Sequence, residues 1–271
     1  MEKKPLFSIL IANYNNGHFF EECYNSVIKQ TYDNWEAIIV DDCSTDNSIE
    51  IVERLIEGDT RFKLFKNDKN GGCGYTKRRC AEEANGELAG FLDPDDALMP
   101  EAVEEMVKMH AKHPEVSLVH SNYLYCNEKL EKGIEKKTKY RDEQDYLRII
   151  HFIFHFISFK LANYKQTEGI SANLKRSVDQ DLYYKLEETG RFIHLDKTLY
   201  KYRIHSGGIS TGSNLLKALS WQYFVIVDAC KRRNENIEEI MPIYIQNRNY
   251  KVGEMVLKPL RRVKRIMQSL G

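Results

Sequence analysis

No run of about 18 uninterrupted apolar residues occurs in this chain, which is the length a membrane-spanning helix needs. The N-terminus, Met1-Glu2-Lys3-Lys4-Pro5, leads straight into a strand-like segment. It has no apolar core of a secretion signal, so none is expected. Net charge is also lacking, with 40 basic residues against 40 acidic ones. That balance excludes a chain-wide positive field, and nucleic acid is not an expected partner. The six cysteines (Cys23, Cys43, Cys73, Cys80, Cys126, Cys230) include no CxxC pair. They read as reduced thiols, and the cytosol is the expected compartment. No GxGxxG follows the first apolar run, as a dinucleotide-binding fold would require. Asn70-Gly71-Gly72-Cys73-Gly74 offers only a loose glycine-rich loop.

What is present is a folded core with regular alternation. Apolar residues make up 42% of 271, ample for one large or two small domains. Leu6 to Ala12 and Glu36 to Val40 read as buried strands, and Phe62 to Phe65 as a third. Helical spacing follows in Phe19, Cys23 and Val27, and again in Ile49, Val52 and Ile56. Asn47 with Glu50 predicts a capping box at the start of the second helix. A further helix runs from Lys77 to Ala84, before the strand Leu88 to Leu92. Strand alternating with helix predicts an α/β fold with a mostly parallel sheet flanked by helices. In such sheets the ligand crevice lies beyond the carboxyl ends of the strands. That rule places Asn13-Tyr14, Asp41-Asp42 and Asp93-Pro94-Asp95-Asp96 on one rim.

The Asp93, Asp95 and Asp96 carboxylates form the most informative cluster. Like charges this close raise one another's pKa unless a cation or strong donors balance them, so a divalent metal or a phosphate site is indicated. The simpler alternative is a strand-to-helix turn, in which Pro94 sets φ and Asp96 caps the helix beginning near Met99-Pro100. Further along, Val116 to Tyr125 reads as a strand and Lys129 to Asp145 as an exposed, charge-rich stretch. The apolar run Ile149 to Ile157 carries His151 and His155 one helical turn apart, a spacing that could bind a metal but reads rather as two packed histidines on a buried helix, outside the site. Asp179 opens a helix with Leu182 and Leu186 on its core face, and locally it is as well explained by capping as by catalysis. Leu199 to His205 is an alternating strand, and from Asn214 the pattern is helical to the end.

Taken together in order, Phe7-Ser8-Ile9-Leu10-Ile11-Ala12-Asn13-Tyr14-Asn15, Val40-Asp41-Asp42-Cys43-Ser44-Thr45-Asp46, Leu92-Asp93-Pro94-Asp95-Asp96, Val178-Asp179-Gln180-Asp181-Leu182 and Tyr202-Arg203-Ile204-His205 resemble glycosyltransferase family 2. These are inverting nucleotide-sugar transferases with the GT-A fold, a Rossmann-like sheet flanked by helices. The resemblance covers roughly residues 5 to 210. It implies a GT-A domain over 1–212, with a nucleotide-sugar half at about 1–115 and an acceptor half at about 116–212. A helical C-terminal extension then occupies 213–271.

Carried over residue by residue, the resemblance implies that Tyr14 lies against the nucleobase. Asp42 would accept the imide N–H of uracil, and backbone near Ala12 would complete the base site. Asp93 would reach ribose or sugar hydroxyls, and Asp95 would bind Mg2+ or Mn2+ on the diphosphate. His205 would be a second ligand to the metal or phosphate, and Asp96 a support to the site. Asp179 would be the general base that takes the acceptor hydroxyl's proton, with Asp181 as its rival. Two positions depart from the pattern. Val178 stands where a Glu usually precedes the base, and Lys77-Arg78 stands where Arg then Asn is common, leaving Lys77 to approach the diphosphate as a point charge.

The expected reaction is therefore inverting transfer of a hexose or N-acetylhexosamine, from a nucleotide sugar of the UDP type, to a glycan or lipid-linked acceptor in cell-surface polysaccharide synthesis. A catalytically silent sugar-nucleotide or glycan-binding module is the second reading, and a dinucleotide oxidoreductase the third. In a helix from Pro259, Leu260, Val263, Ile266, Met267 and Leu270 fall opposite Lys258, Arg261, Arg262, Lys264 and Arg265. That pattern fits peripheral contact with an anionic membrane on its cytoplasmic face, or equally an ordinary helix docked on the domain.

Overall fold

A computed structural model describes residues 4–131, 133–137, 145–148, 153, 155–205, 207 and 215–245. The basic segment 258–271 and His151 lie outside the described residues. The order is β1 (Phe7–Asn13), α1 (Phe20–Ile28), β2 (Trp35–Asp41), α2 (Ser48–Ile56), β3 (Phe62–Lys66), α3 (Cys73–Glu83) and β4 (Leu88–Phe91). Then come β5 (Ala97–Leu98), α4 (Ala102–Lys112), β6 (Val116–Cys126), β7 (Ile134–Lys136), β8 (Ile157–Lys160) and α5 (Leu161–Tyr164). α6 (Val178–Glu187), β9 (Arg191–Arg203) and α7 (Leu215–Arg233) follow, with a last helix over 237–245.

The strands form one sheet in the order β3-β2-β1-β4-β8-β6-β9-β5, with β7 added beside β6. From β3 to β4 every pairing is parallel, as the alternating sequence predicts. Beyond β4 the sheet is mixed, because β8 runs antiparallel to both β4 and β6 while β9 pairs parallel with β6. β1 and β2 are apolar almost throughout because both of their faces are covered. Phe7, Ile9 and Ile11 pack with α1 and α4, and Leu10 on the opposite face packs with residues of α3, α6 and α7. The period of two along the strand distributes one sequence between two cores.

Three local expectations change. The run ending at Ile157 is not a helix where it is described: Ile157–Lys160 is strand β8, inserted beside β4. Gly90 makes room for it, since a Cβ there would lie 2.8 Å from the Ile157 carbonyl oxygen. Aromatic and β-branched residues at i, i+1 and i+4 suit either period, and the vacancy beside β4 decides for strand. The capping box at Asn47 is absent, and the Ser48 N–H instead donates to Asp46 Oδ1 at 3.0 Å. Asp96 caps no helix, because α4 begins only at Ala102 and Asp96 is buried.

Candidate active site

Adjacent β1 and β2 end in register, Asn13 opposite Asp41. Asn13 donates through Nδ2 to Asp41 Oδ2 at 2.7 Å, and Asp41 also accepts the Ser44 N–H and hydroxyl. Asp41 is thereby spent on holding the loop. Asp42 is buried beside it and accepts from Asn67 Nδ2 at 2.7 Å and from the Gly71 and Gly72 N–H groups at 2.8 Å each. A carboxylate offers about four acceptor sites, so one remains for a ligand N–H. Gly72 has φ +86°, a left-handed conformation that glycine adopts without strain, which lets consecutive N–H groups converge on Asp42. Asn15 stitches the β1 loop to Ser44 and Thr45. Tyr14 stands at 42% exposure beyond half-buried Ala12, an aromatic ring presented on the rim.

Beyond β4, the three carboxylates separate into distinct environments. Asp96 accepts the Tyr200 hydroxyl at 2.8 Å and the Arg203 N–H at 2.7 Å, so β9 is pinned to the acidic turn. Burial, then the charges of Asp95 and Asp93, push its carboxyl well above the usual range. Asp95 Oδ2 lies 2.8 Å from His205 Nε2. Its carboxyl is raised by burial first and by the Asp93 charge second. Arg203 adds a buried cation here, bonding the Asp95 carbonyl through Nε while its guanidinium lies 4.4 Å from the Phe19 ring centre.

Asp93 meets Lys77 Nζ at 3.2 Å through Oδ1 and His155 Nε2 at 3.6 Å through Oδ2. Burial alone would raise its carboxyl, but Lys77 and His155 outweigh that and hold it below the usual range. Lys77 also donates to Asp179 Oδ1 at 2.9 Å. Burial opposes the charge on Lys77, and the Asp179 and Asp93 carboxylates overcome it, raising its pKa well above the usual value. Asp179 sits in the first turn of α6, yet its side chain pairs with Lys77 and not with the helix end. Asp181 points elsewhere. It is buried against Lys185 Nζ at 2.9 Å and accepts the Ser171 N–H, so it anchors the segment before α6.

The expected residues thus fall into a base-side group (Ala12, Tyr14, Asp42) and a charged group (Lys77, Asp93, Asp95, Asp96, Asp179, His205), within which Asp179, Lys77 and Asp93 form one chain of contacts and Asp95 and His205 another. His155 is a correction, since its ring lies 4.9 Å from Tyr200, nearly parallel, and it reaches Asp93. A helical reading of its apolar run hid it. Arg203 and Tyr200 were also missed as site supports, although Arg203 lies inside the Tyr202-to-His205 motif.

Among the described residues no group of three or more His, Cys, Asp or Glu is arranged to hold a metal. Asp95 and His205 nevertheless supply one carboxylate oxygen and one imidazole nitrogen 2.8 Å apart, in a turn with surplus negative charge. That donor pair fits Mg2+ or Mn2+ completed by ligand oxygens. No helix among the described residues is long and apolar enough to cross a membrane.

A parallel sheet continuing into a mixed one, with an acidic turn on the rim, is the architecture expected of a glycosyltransferase of the GT-A type. The family model described as "Glycosyl transferase family 2" matches residues 8–167, and the chain belongs to that family. It is 30% identical over 242 residues to the chondroitin synthase of Pasteurella multocida (strain Pm70), covering 87% of this chain and 24% of the synthase. To the hyaluronan synthase of Pasteurella multocida it is 29% identical over 236 residues, 86% of this chain and 24% of that protein. The chain therefore spans about a quarter of the length of these relatives. S. aureus TarS 1-349 in complex with UDP-GlcNAc superposes with a TM-score of 0.67 at 24% identity, covering 81% of this chain and 65% of that one. The mannosyltransferase PcManGT from Pyrobaculum calidifontis, in complex with GDP-Man and Mn2+, gives 0.60 at 16% identity, covering 94% and 81%. Both superpositions concern the fold.

Proposed function

We propose that this glycosyltransferase moves a hexose or N-acetylhexosamine from a UDP-sugar to a hydroxyl of a glycan or lipid-linked acceptor, with inversion, in polysaccharide synthesis. The observation that carries the reading is that the turn after β4 holds both the Asp95–His205 pair and Asp93, and that Asp93 is linked to Asp179 through Lys77. The names of the two synthase relatives support a polysaccharide product, and the UDP-GlcNAc complex of TarS supports a UDP-sugar donor.

In this reading Tyr14 stacks on the base, and Asp42 uses its remaining acceptor site for the imide N–H of uracil. Asp93 accepts hydroxyls of the ribose or sugar. Asp95 and His205 would hold Mg2+ or Mn2+, which would supply Lewis-acid neutralisation of the departing diphosphate. Asp179, 38% exposed at its side chain, accepts the proton of the acceptor hydroxyl as that oxygen attacks the anomeric carbon. A single displacement inverts the centre and requires no enzyme nucleophile.

The decisive experiment incubates the chain with Mn2+ and a panel of nucleotide sugars and acceptors, reading nucleoside diphosphate release and thermal shift together. Release and stabilisation with UDP-sugars are expected. Stabilisation without turnover would favour a silent binding module, and no stabilisation by any nucleoside diphosphate would remove the donor assignment. The basic segment 258–271 is proposed to rest on anionic lipid at the cytoplasmic face, close to a lipid-linked acceptor. Flotation with anionic liposomes should lose the chain when 258–271 is deleted, and equal flotation of both forms would reject this.

A further inference from the structure

We propose that Lys77 is the positioning residue that sets Asp179 against Asp93, so that loss of Lys77 lowers the rate of transfer through Asp179. This rests on the transferase reading above. One nitrogen, Lys77 Nζ, lies 2.9 Å from Asp179 Oδ1 and 3.2 Å from Asp93 Oδ1. The two oxygens are therefore within two hydrogen-bond lengths of one another. One belongs to the carboxylate assigned to the donor's hydroxyls and the other to the assigned base. They come from opposite parts of the chain, the turn after β4 and the first turn of α6, and Lys77 is the side chain that touches both. It is 5% exposed, so its ammonium has been taken out of water for this contact.

A buried lysine is a costly way to join two helices, and here the joining is done by other groups. The Gly74 N–H donates to the Leu174 carbonyl at 2.8 Å, and Arg78 reaches the Glu168 and Ile170 carbonyls. A Cβ on Gly74 would lie 2.5 Å from the Ser171 carbonyl oxygen, which shows how closely α3 meets the segment before α6. Docking of α3 is thus secured without Lys77. Both carboxylates keep some solvent access, 28% for Asp93 and 38% for Asp179, so losing the ammonium leaves them hydrated and the fold intact. What would be lost is orientation. Asp179 would leave the sugar face, and a base displaced by about an ångström is slower by as much as about 100-fold.

The test is a double-mutant cycle in the full chain, using Lys77→Met, Asp179→Asn and both together, with Mn2+ and a UDP-sugar that supports turnover. Lys77→Met should lower kcat by about 100-fold while changing donor KM by less than about threefold. In the Asp179→Asn background the same substitution should cost less than about threefold, because the group it positions is already gone. Equal losses in both backgrounds would overturn the proposal, and so would a loss confined to donor KM, which would make Lys77 a phosphate contact. If Lys77→Met fails to fold, Lys77→Gln takes its place in the same cycle. Failure of the unsubstituted chain to turn over any donor defeats the transferase reading and not this link, which is then read from the cycle in urea unfolding. Coupling of at least about threefold in the unfolding constant supports the link, and additivity overturns it.

Discussion

Two aspartate clusters flank β1, one after β2 and one after β4, and they are neutralised by different means. Asp41 and Asp42 are held by neutral donors close by: Asn13, Ser44, Asn67 and the Gly71 and Gly72 N–H groups. Asp93, Asp95 and Asp96 are met by the side chains of Lys77, His155 and His205 and by the Arg203 N–H, drawn from α3, from the residues before β8 and from β9 and its exit. Fixed backbone donors give one shape, suited to reading a flat base. Side chains that reach in from several elements, Lys77 as a buried cation among them, can be exchanged for a metal or opposed by a diphosphate, which suits a centre where charge is created and removed.

Replacing groups on each side should separate the two roles, beginning with the largest effect. Asp179→Asn, across Lys77 from Asp93, should lower kcat by about 1000-fold while leaving UDP affinity nearly unchanged, measured by initial rates and calorimetry. Retention of the full rate would move the base elsewhere. Asp95→Asn should weaken Mn2+ dependence by about 10- to 100-fold, read as the Mn2+ concentration for half-maximal rate. Nucleotide binding without metal should barely change. On the other side, Asp42→Asn should raise the donor KM about tenfold and cost about 1–2 kcal/mol of stability in urea unfolding, since the glycine N–H groups lose a charged acceptor. Its Mn2+ requirement should stay where it was. If Asp42→Asn instead altered the Mn2+ response as much as Asp95→Asn does, the division between the clusters would collapse.

The first half of the fold was legible because each strand is contiguous and each helix keeps its period. β1, β2 and α1 all fall within a few residues of the expected segments. The acidic turn was legible from charge crowding alone. Sequence could not show which carboxylate does which job, because the partners that separate them lie far along the chain: Tyr200 and Arg203 for Asp96, His205 for Asp95, and Lys77 and His155 for Asp93. His155 was hidden for a further reason. Its apolar neighbours suit a helix as well as a strand, and only the groove that Gly90 opens beside β4 selects the strand. Asp42 carried the opposite ambiguity. Its motif marked it as a ligand-reading carboxylate, and nothing local showed that Asn67 and the glycine loop already occupy three of its acceptor sites.

The smallest expected effect concerns pH, and it separates members of the charged cluster from one another. In the folded chain Asp95 is raised by burial and by Asp93, and Asp96 by burial, Asp95 and Asp93, so both hold a proton more tightly there than in the unfolded chain. Their contribution to stability is present at or below the ordinary carboxyl value of about 3.9 and is lost as pH rises through the folded values. Asp93 is shifted the other way, with Lys77 and His155 outweighing its burial, so its contribution is lost only as pH falls below the ordinary value. Within this cluster, the slope between about pH 4 and 7 therefore comes from Asp95 and Asp96, at less than about 1.4 kcal/mol per pH unit for each. With divalent ions chelated, lowering the pH from 7 to 5 should favour the unsubstituted chain over Asp96→Asn in paired thermal melts. Adding Mn2+ should flatten that difference, because a cation on Asp95 relieves the crowding that a proton would otherwise relieve. A difference between the two forms that is the same at pH 5 and 7 would mean that Tyr200 and Arg203 already compensate the charge on Asp96, leaving Asp95 and His205 as the part of the turn that responds to a cation.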